Sequence, residues 1–196
     1  MPASGSPVFD IGAARVYLTC RSTTISVPSG GGDAAAELTT DRLVLRPVTA
    51  QPVEAIVGGN RLPDWASDFP DEGDVVIARM LNTNGLPAGP ARAFGQRQLV
   101  ERSSGLVVGG VGFFGPPERG SVEIGYGVVP SRRSRGYATE AVHAMIEFAF
   151  RQDGVQSVRA GVELSNPASV RVLEKAGMTL LRRTADLADF AVEAGP

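Results

Sequence analysis

Apolar and polar positions change rhythm several times along the chain, and each change predicts an element. "RLVLRPV" alternates with a period of two, as a half-buried strand does, and Pro47 marks where that strand stops. "AQPVEAIVGG" and "DVVIARML" predict two short helices joined by the loop "PDWASDFPDEG". From "GPARAF" to "SVEIGYGVV" the pattern predicts three successive strands, broken at "RSSG" and "PPERG", whose turn residues make an antiparallel meander. "YATEAVHAMIEFAFRQ" sets Ala138, Val142, Met145, Ile146 and Ala149 on one broad helical face. "VQSVRAGVEL" is a further strand. "NPASVRVLEKAG" is a helix with both ends written out: Asn166 as N-cap, Pro167 at the first helical position, Lys175 in the last turn and Gly177 just past it. "MTLLRR" and "DFAVE" close the chain as a strand pair. The order from Arg42 onward is βααβββαβαββ, an α/β arrangement.

The first forty residues read differently. "ARVYLTCRSTTISV" alternates enough for one or two strands, and the following "PSGGGD" has the composition of a flexible linker. Residues 1–37 are therefore an N-terminal extension, and residues 38–196 a single domain. Apolar residues are 43% and charged residues 20% of the chain, ordinary globular values. Nineteen basic against 21 acidic side chains argue against general nucleic-acid binding, which needs a broadly positive face. Cys20 is the one cysteine, which excludes an internal disulfide framework and a thiolate metal cluster. The longest nearly apolar run, "LVVGGVGFFG", is too short and too glycine-rich to span a bilayer. With no charged leader preceding an apolar core, the expectation is a soluble, cytoplasmic protein.

One stretch departs from this bland picture. "VVPSRRSRGYATEA" ends a strand near Pro130 and opens a helix near Gly136, so several consecutive N–H groups lack an intrahelical acceptor. The helix dipole adds partial positive charge there, Arg132, Arg133 and Arg135 add full charges, and Gly136 and Ala138 keep side-chain bulk away. A diphosphate is the natural occupant.

"RSRGYA", Arg133 to Ala138, resembles the Q/R-x-x-G-x-G/A signature of the GNAT superfamily of N-acetyltransferases. "NPASVRVLEKAGM" is similar to that family's N-x-x-S-x-x-x-x-E-K-x-G-[FM] motif, and "EIGY" with "RGYATEA" most resembles its RimJ/RimL-type branch. The likeness runs from about Arg42 to Phe190. It implies a mixed, mostly antiparallel sheet with helices on both faces, and acetyl-coenzyme A as co-substrate. It also implies a cofactor site made by Val128, Val129, Arg133, Ser134, Arg135, Gly136, Tyr137, Ala138, Thr139 and Asn166, with Ser169 near the coenzyme A sulfur. The acceptor is a primary amine, either a protein N-terminus or a small amine, with no nucleic acid, membrane or metal involved, in a monomer or homodimer. The family's frequent general-acid tyrosine is matched here by Leu173, which has no proton to give.

Acetyl transfer to an amine needs a base for the ammonium proton, a donor for the thioester carbonyl and a proton for the thiolate. Glu123 is the candidate base: it alternates onto one strand face with Gly125 and Gly127, which leave room beside the carboxylate. An ordinary ion pair with an arginine explains Glu123 as well. Backbone N–H groups near Val128 are the candidate oxyanion donors, and Ser169 or water the proton source. Asn166 can cap its helix, touch the cofactor, or both. His143 follows apolar Val142 and reads as structural, while Trp65 and Phe69 fit either the core or an acceptor pocket. "GVGFFG" matches G-x-G-x-x-G in letters but lies within a strand and opens no helix, so it binds no dinucleotide. The rival to an acetyltransferase is a non-catalytic module that binds or senses acyl-coenzyme A.

Overall fold

The computed structural model describes Arg15–Val16 and residues 36–195; of Arg15 and Val16 it describes the backbone alone. Most of the predicted extension, including Cys20 and the glycine-rich linker, lies outside the described residues. The strands are β1 (Arg15–Val16), β2 (Leu38–Thr39), β3 (Leu43–Pro47), β4 (Gln96–Glu101), β5 (Val107–Phe113), β6 (Ser121–Val128), β7 (Ser157–Glu163), β8 (Thr179–Arg183) and β9 (Leu187–Glu193). The helices are α1 (Ala50–Val57), α2 (Glu72–Asn84), α3 (Tyr137–Ala149) and α4 (Pro167–Lys175). From β3 onward the order is the predicted βααβββαβαββ. "GPARAF" differs: Gly89–Phe94 winds into a 3₁₀ turn, with Pro90 at its start, and β4 begins only at Gln96.

One sheet runs β2-β3-β4-β5-β6-β7-β9-β8, with β1 added on β6. Every pair is antiparallel except β6 with β7. That parallel pairing covers only Ser121–Glu123 against Ser157–Arg159 and then stops. Past it β6 stays paired to β5 and β7 to β9, so the sheet opens between β6 and β7. The backbone of β1 lies antiparallel along Ile124–Gly125 at this opening.

The two sheet faces have different chemistry. One carries Leu45, Leu99, Val111, Ile124 and Val128, all buried, and packs with Val142, Met145, Ile146 and Phe148 of α3 into the main core. Direct cross-strand partners share a face, so the register aligns Arg46, Gln98, Gly110 and Gly127 in one row of the opposite face. The next row along β5 and β6 is Gly112 with Gly125. This face is polar and paved with glycine. Trp65 and Phe69 are both buried, with rings 5.0 Å apart and edge to face, and belong to the core.

Candidate active site

The glycine paving is explained by what lies on it, with one exception. A Cβ on Gly112 would come within 2.6 Å of Gln96, one on Gly125 within 2.8 Å of the Phe114 ring, and one on Gly110 within 3.0 Å of Asp74 Oδ1. Gly127 has nothing within 4 Å of the same position. Glycine in a strand costs roughly 0.5–1 kcal/mol relative to a residue with a side chain. At Gly127 no atom of the described residues accounts for that cost.

The strand holding Gly127 leads straight into the amide-rich loop. β6 ends at Val128, Pro130–Arg132 forms a 3₁₀ turn, and Gly136 caps α3 at φ +80°. Ser134 sits at φ +60°, so the chain bends into the left-handed region twice within three residues and turns its N–H groups to one side. Among the described residues no protein acceptor takes the N–H of Ser134, Arg135, Gly136, Tyr137, Ala138 or Thr139; the first bonded one belongs to Glu140, which donates to Gly136 O at 3.0 Å. Ser134, Arg135 and Gly136 are exposed. Val129 offers no such donor, because its N–H is spent on Val108 O at 2.9 Å.

The arginines are less free than their clustering suggests. Arg132 Nε donates to buried Glu101 at 3.1 Å. Arg133 donates through Nε to Val128 O at 2.9 Å and through Nη2 to Asp71 at 2.5 Å. Arg135 is half exposed, 3.8 Å from Glu101, and also donates to Ser131 O. Burial pushes the Glu101 carboxyl up, but hydrogen bonds from Ser104, Tyr137 and Arg132 more than offset it and hold the group below its usual range. The Tyr137 hydroxyl donates 2.7 Å to Glu101, which raises its pKa and turns the side chain inward, leaving the backbone N–H as that residue's contribution. Asp68 accepts from the Ser131 N–H and hydroxyl, both at 2.8 Å, and the N–H in particular lowers its pKa.

A residue whose role the sequence concealed braces the loop from behind. Buried Glu140, in the first turn of α3, accepts from Thr40 Oγ1 at 2.6 Å, Arg42 N at 2.8 Å and Arg42 Nε at 2.7 Å. Arg42 stacks 5.0 Å over the Tyr137 ring and donates from Nη1 to Arg135 O at 2.7 Å. The turn between β2 and β3 thus pulls the Arg135 carbonyl backward, leaving the neighbouring N–H groups facing out.

The other predicted residues fall around the opening of the sheet. Asn166 caps α4 by accepting from Ser169 N at 3.0 Å, as its N-cap position predicts. Ser169 is buried, and the Tyr126 hydroxyl donates to its carbonyl at 3.4 Å, so α4 is seated over β6. Glu123 shares the face of Gly125 and Gly127 and lies opposite Arg159 in the parallel register. It is four residues from Gly127, about 13 Å along the strand, with the Phe114 ring over Gly125 between them. Leu173 is fully buried. His143 lies on α3 toward α4; burial lowers its pKa, and its Nδ1 has no hydrogen-bond partner among the described residues. That environment suits packing rather than proton transfer. Among the described residues no group of His, Cys, Asp and Glu could hold a metal, and no helix is long and apolar enough to cross a membrane.

The family described as "Acetyltransferase (GNAT) domain" matches residues 42–179. The chain is 36% identical over 89 residues to the uncharacterized N-acetyltransferase YjdG of Bacillus subtilis, covering 45% of this chain and 53% of that protein, about half of its length. It is 29% identical over 143 residues to the uncharacterized N-acetyltransferase YoaA of the same organism, covering 71% and 81% of the two chains. Among solved structures, a putative ribosomal-protein-serine acetyltransferase from Vibrio cholerae shares the fold with a TM-score of 0.57 at 20% identity, over 81% of this chain and 98% of that one.

Proposed function

The chain belongs to the GNAT family of acetyltransferases and is an acyltransferase; on that premise we propose that it moves an acetyl group from acetyl-coenzyme A to a primary amine, in the manner of the RimJ/RimL-type branch. The observation that carries the reading is the run of N–H groups from Ser134 to Thr139 that no acceptor among the described residues takes, set at the start of a 13-residue helix and one short turn beyond the bare surface of Gly127. These amides and the half-exposed Arg135 would hold the diphosphate. The opening between β6 and β7, where β1 pairs along Ile124–Gly125, would admit the pantetheine arm once that pairing gives way and bring the thioester to Gly127. Acetyl-coenzyme A supplies an activated acyl carbon when bound. The residues of this chain do the rest: the β6 backbone near Gly127 and Val128 polarises the carbonyl, Glu123 draws the ammonium proton away through intervening water, and Ser169 or water returns one to sulfur.

Branch resemblance favours a protein N-terminus over a small amine as acceptor, and the site of action is read as cytoplasmic. The test is calorimetric titration with acetyl-coenzyme A, followed by thiol release in the presence of amines. Micromolar binding with amine-dependent release is the expected result. A chain that fails to bind acetyl-coenzyme A, or whose affinity is indifferent to a bulky residue at Gly136, overturns the assignment of the loop.

A further inference from the structure

Asp74 is the carboxylate that the site so far leaves unused. It occupies the first turn of α2, where its Oδ2 accepts from the Asp71 N–H at 3.0 Å and completes a capping box. Capping engages that one oxygen. The other, Oδ1, leans over the glycine face and approaches the Cβ position of Gly110 to 3.0 Å. Gly110 is the direct cross-strand partner of Gly127, and such partners carry their Cβ positions about 4.5–5.5 Å apart on one face. Asp74 Oδ1 therefore lies no farther than about 8.5 Å from the Cβ position of Gly127, and no nearer than 4 Å, since no atom of the described residues comes closer. An acyl carbon resting on Gly127, an attacking nitrogen about 3–3.5 Å from it and a carboxylate oxygen about 2.6–3.2 Å beyond the nitrogen fit within that interval. Glu123 stands about 13 Å along β6 from Gly127, behind the Phe114 ring, so a proton leaving the nitrogen meets Asp74 first.

We propose that Asp74 Oδ1 is the general base of the acetyl transfer, taking the acceptor's ammonium proton, directly or through one water, beside the bare surface of Gly127. The inference rests on the acetyl-transfer reading given above and deepens it, whatever group carries the amine. Asp74 takes one proton from the ammonium, and the nitrogen lone pair so freed forms the bond to the acyl carbon. The C–S bond then breaks, sulfur leaves with the electron pair and takes a proton from Ser169 or water, and the nitrogen sheds its second proton. Once Asp74 has returned its own to solvent, one proton per turnover is on coenzyme A and one is in water. The carboxyl suits this task. Burial pushes it up to about 7, the Asp71 N–H pulls it back, and the Asp71 charge adds to the rise. A base is most effective when its pKa lies near the pH at which it works. Asp71 is itself paired with Arg133 of the amide loop. The other elements around Asp74 add little charge: β5 carries none, the single charged residue of α1 is exposed Glu54, and in the glycine row Arg46 is engaged two strands away by Asp64 and Gln98.

The experiment follows thiol release over about pH 5.5–9.5 at saturating acetyl-coenzyme A, with an Ala-initiated hexapeptide and with n-butylamine, the faster of the two carrying the test. In the wild type kcat/KM for the amine should rise through about pH 7 as Asp74 ionises, apart from the amine's own ionisation at ~8 or ~10. Asp74→Asn keeps an oxygen for the Asp71 N–H; it should lower kcat about 10²-fold, erase the limb near pH 7 and leave the Kd of acetyl-coenzyme A unchanged. Glu123→Gln should keep that limb. Should Asp74→Asn fail to fold, Gly110→Ala displaces the same carboxylate from the strand side and should lower kcat at least tenfold, again with the Kd unchanged. A kcat within threefold of wild type in the variant that folds, or a limb near pH 7 that persists in Asp74→Asn, would overturn Asp74 as the base and leave the acetyl-transfer reading standing. Absence of acetyl-coenzyme A binding, or binding without release to either amine, would overturn that reading and the base with it.

Discussion

Replacing Gly127 by valine separates folding from function at a single position. The other glycines of the face serve as controls, because a Cβ on Gly110, Gly112 or Gly125 meets Asp74, Gln96 or Phe114 at 3.0, 2.6 or 2.8 Å. Those substitutions to alanine force neighbours to move and should each cost about 1–3 kcal/mol. On Gly127 a new Cβ meets no atom of the described residues within 4 Å, and a β-branched residue suits a strand better than glycine by about 1 kcal/mol. For a domain of this size 1 kcal/mol corresponds to roughly 2–4 °C, so Gly127→Val should melt at or a few degrees above wild type while Gly112→Ala and Gly125→Ala melt below it. The same side chain stands where the thioester is placed, and a displacement of about 1 Å at a reacting centre costs on the order of 10²-fold in rate. Thermal denaturation and amine-dependent thiol release, run on the same preparations, give both readings. A Gly127→Val protein that melts normally and still turns over within threefold of wild type would refute the placement of the acyl group on this face.

Four further outcomes follow from the site. Glu140→Ala strips Thr40 and Arg42 of their shared acceptor; because Arg42 is half exposed the loss should be about 2–3 kcal/mol, seen as a Tm lower by roughly 4–12 °C, with acetyl-coenzyme A binding about tenfold weaker by calorimetry because Arg135 O is no longer held back. Ser169→Ala should lower turnover without changing the Kd of acetyl-coenzyme A, since Asn166 caps α4 through the Ser169 backbone N–H; unchanged turnover would remove the serine from the mechanism. A raised carboxyl pKa means the folded chain binds a proton that the unfolded chain has lost, so the stability contributed by Asp74 declines between about pH 4 and 7; the trend should vanish in Asp74→Asn, read from Tm as a function of pH. Deleting residues 1–34 removes the backbone that pairs with Ile124–Gly125 at the opening of the sheet, and acetyl-coenzyme A should then bind at least threefold more tightly by calorimetry.

What the sequence discloses about this protein is what lies close together along the chain. α4 carries its start and stop signals within a dozen residues, and the structure places Asn166 and Gly177, at φ +86°, where those signals put them. The amide-rich loop is likewise local, since a strand end, a glycine and a helix start are contiguous. The brace behind the loop is not: Glu140 reads as an ordinary first-turn carboxylate, and its partners Thr40 and Arg42 lie about a hundred residues earlier. Asp71 and Asp74 form a capping box in the fold, but that Asp74 reaches Gly110 depends on how α2 docks, which no local pattern encodes. "GPARAF" misled for a related reason: a glycine followed by proline permits either an extended or a 3₁₀ path, and the demand that β4 align Gln96 with Gly112 decides between them.

The dense arginines also take on a different meaning in three dimensions. Read along the chain, Arg132, Arg133 and Arg135 are three positive charges awaiting phosphate. In the fold Arg132 is committed to Glu101, Arg133 is tied to Asp71, and Arg135 shares Glu101 at longer range. A patch of three guanidiniums beside two carboxylates has little net charge left to attract an anion from a distance. What distinguishes this place from any other mixed-charge surface is the fixed direction of six N–H groups with no acceptor among the described residues, held by Ser134 and Gly136 in left-handed conformations and by Arg42 from behind. The arginines therefore act first as struts, fastening the loop to the end of β4 and to the start of α2. The link from Arg133 to Asp71 joins the cofactor loop to the helix that carries Asp74.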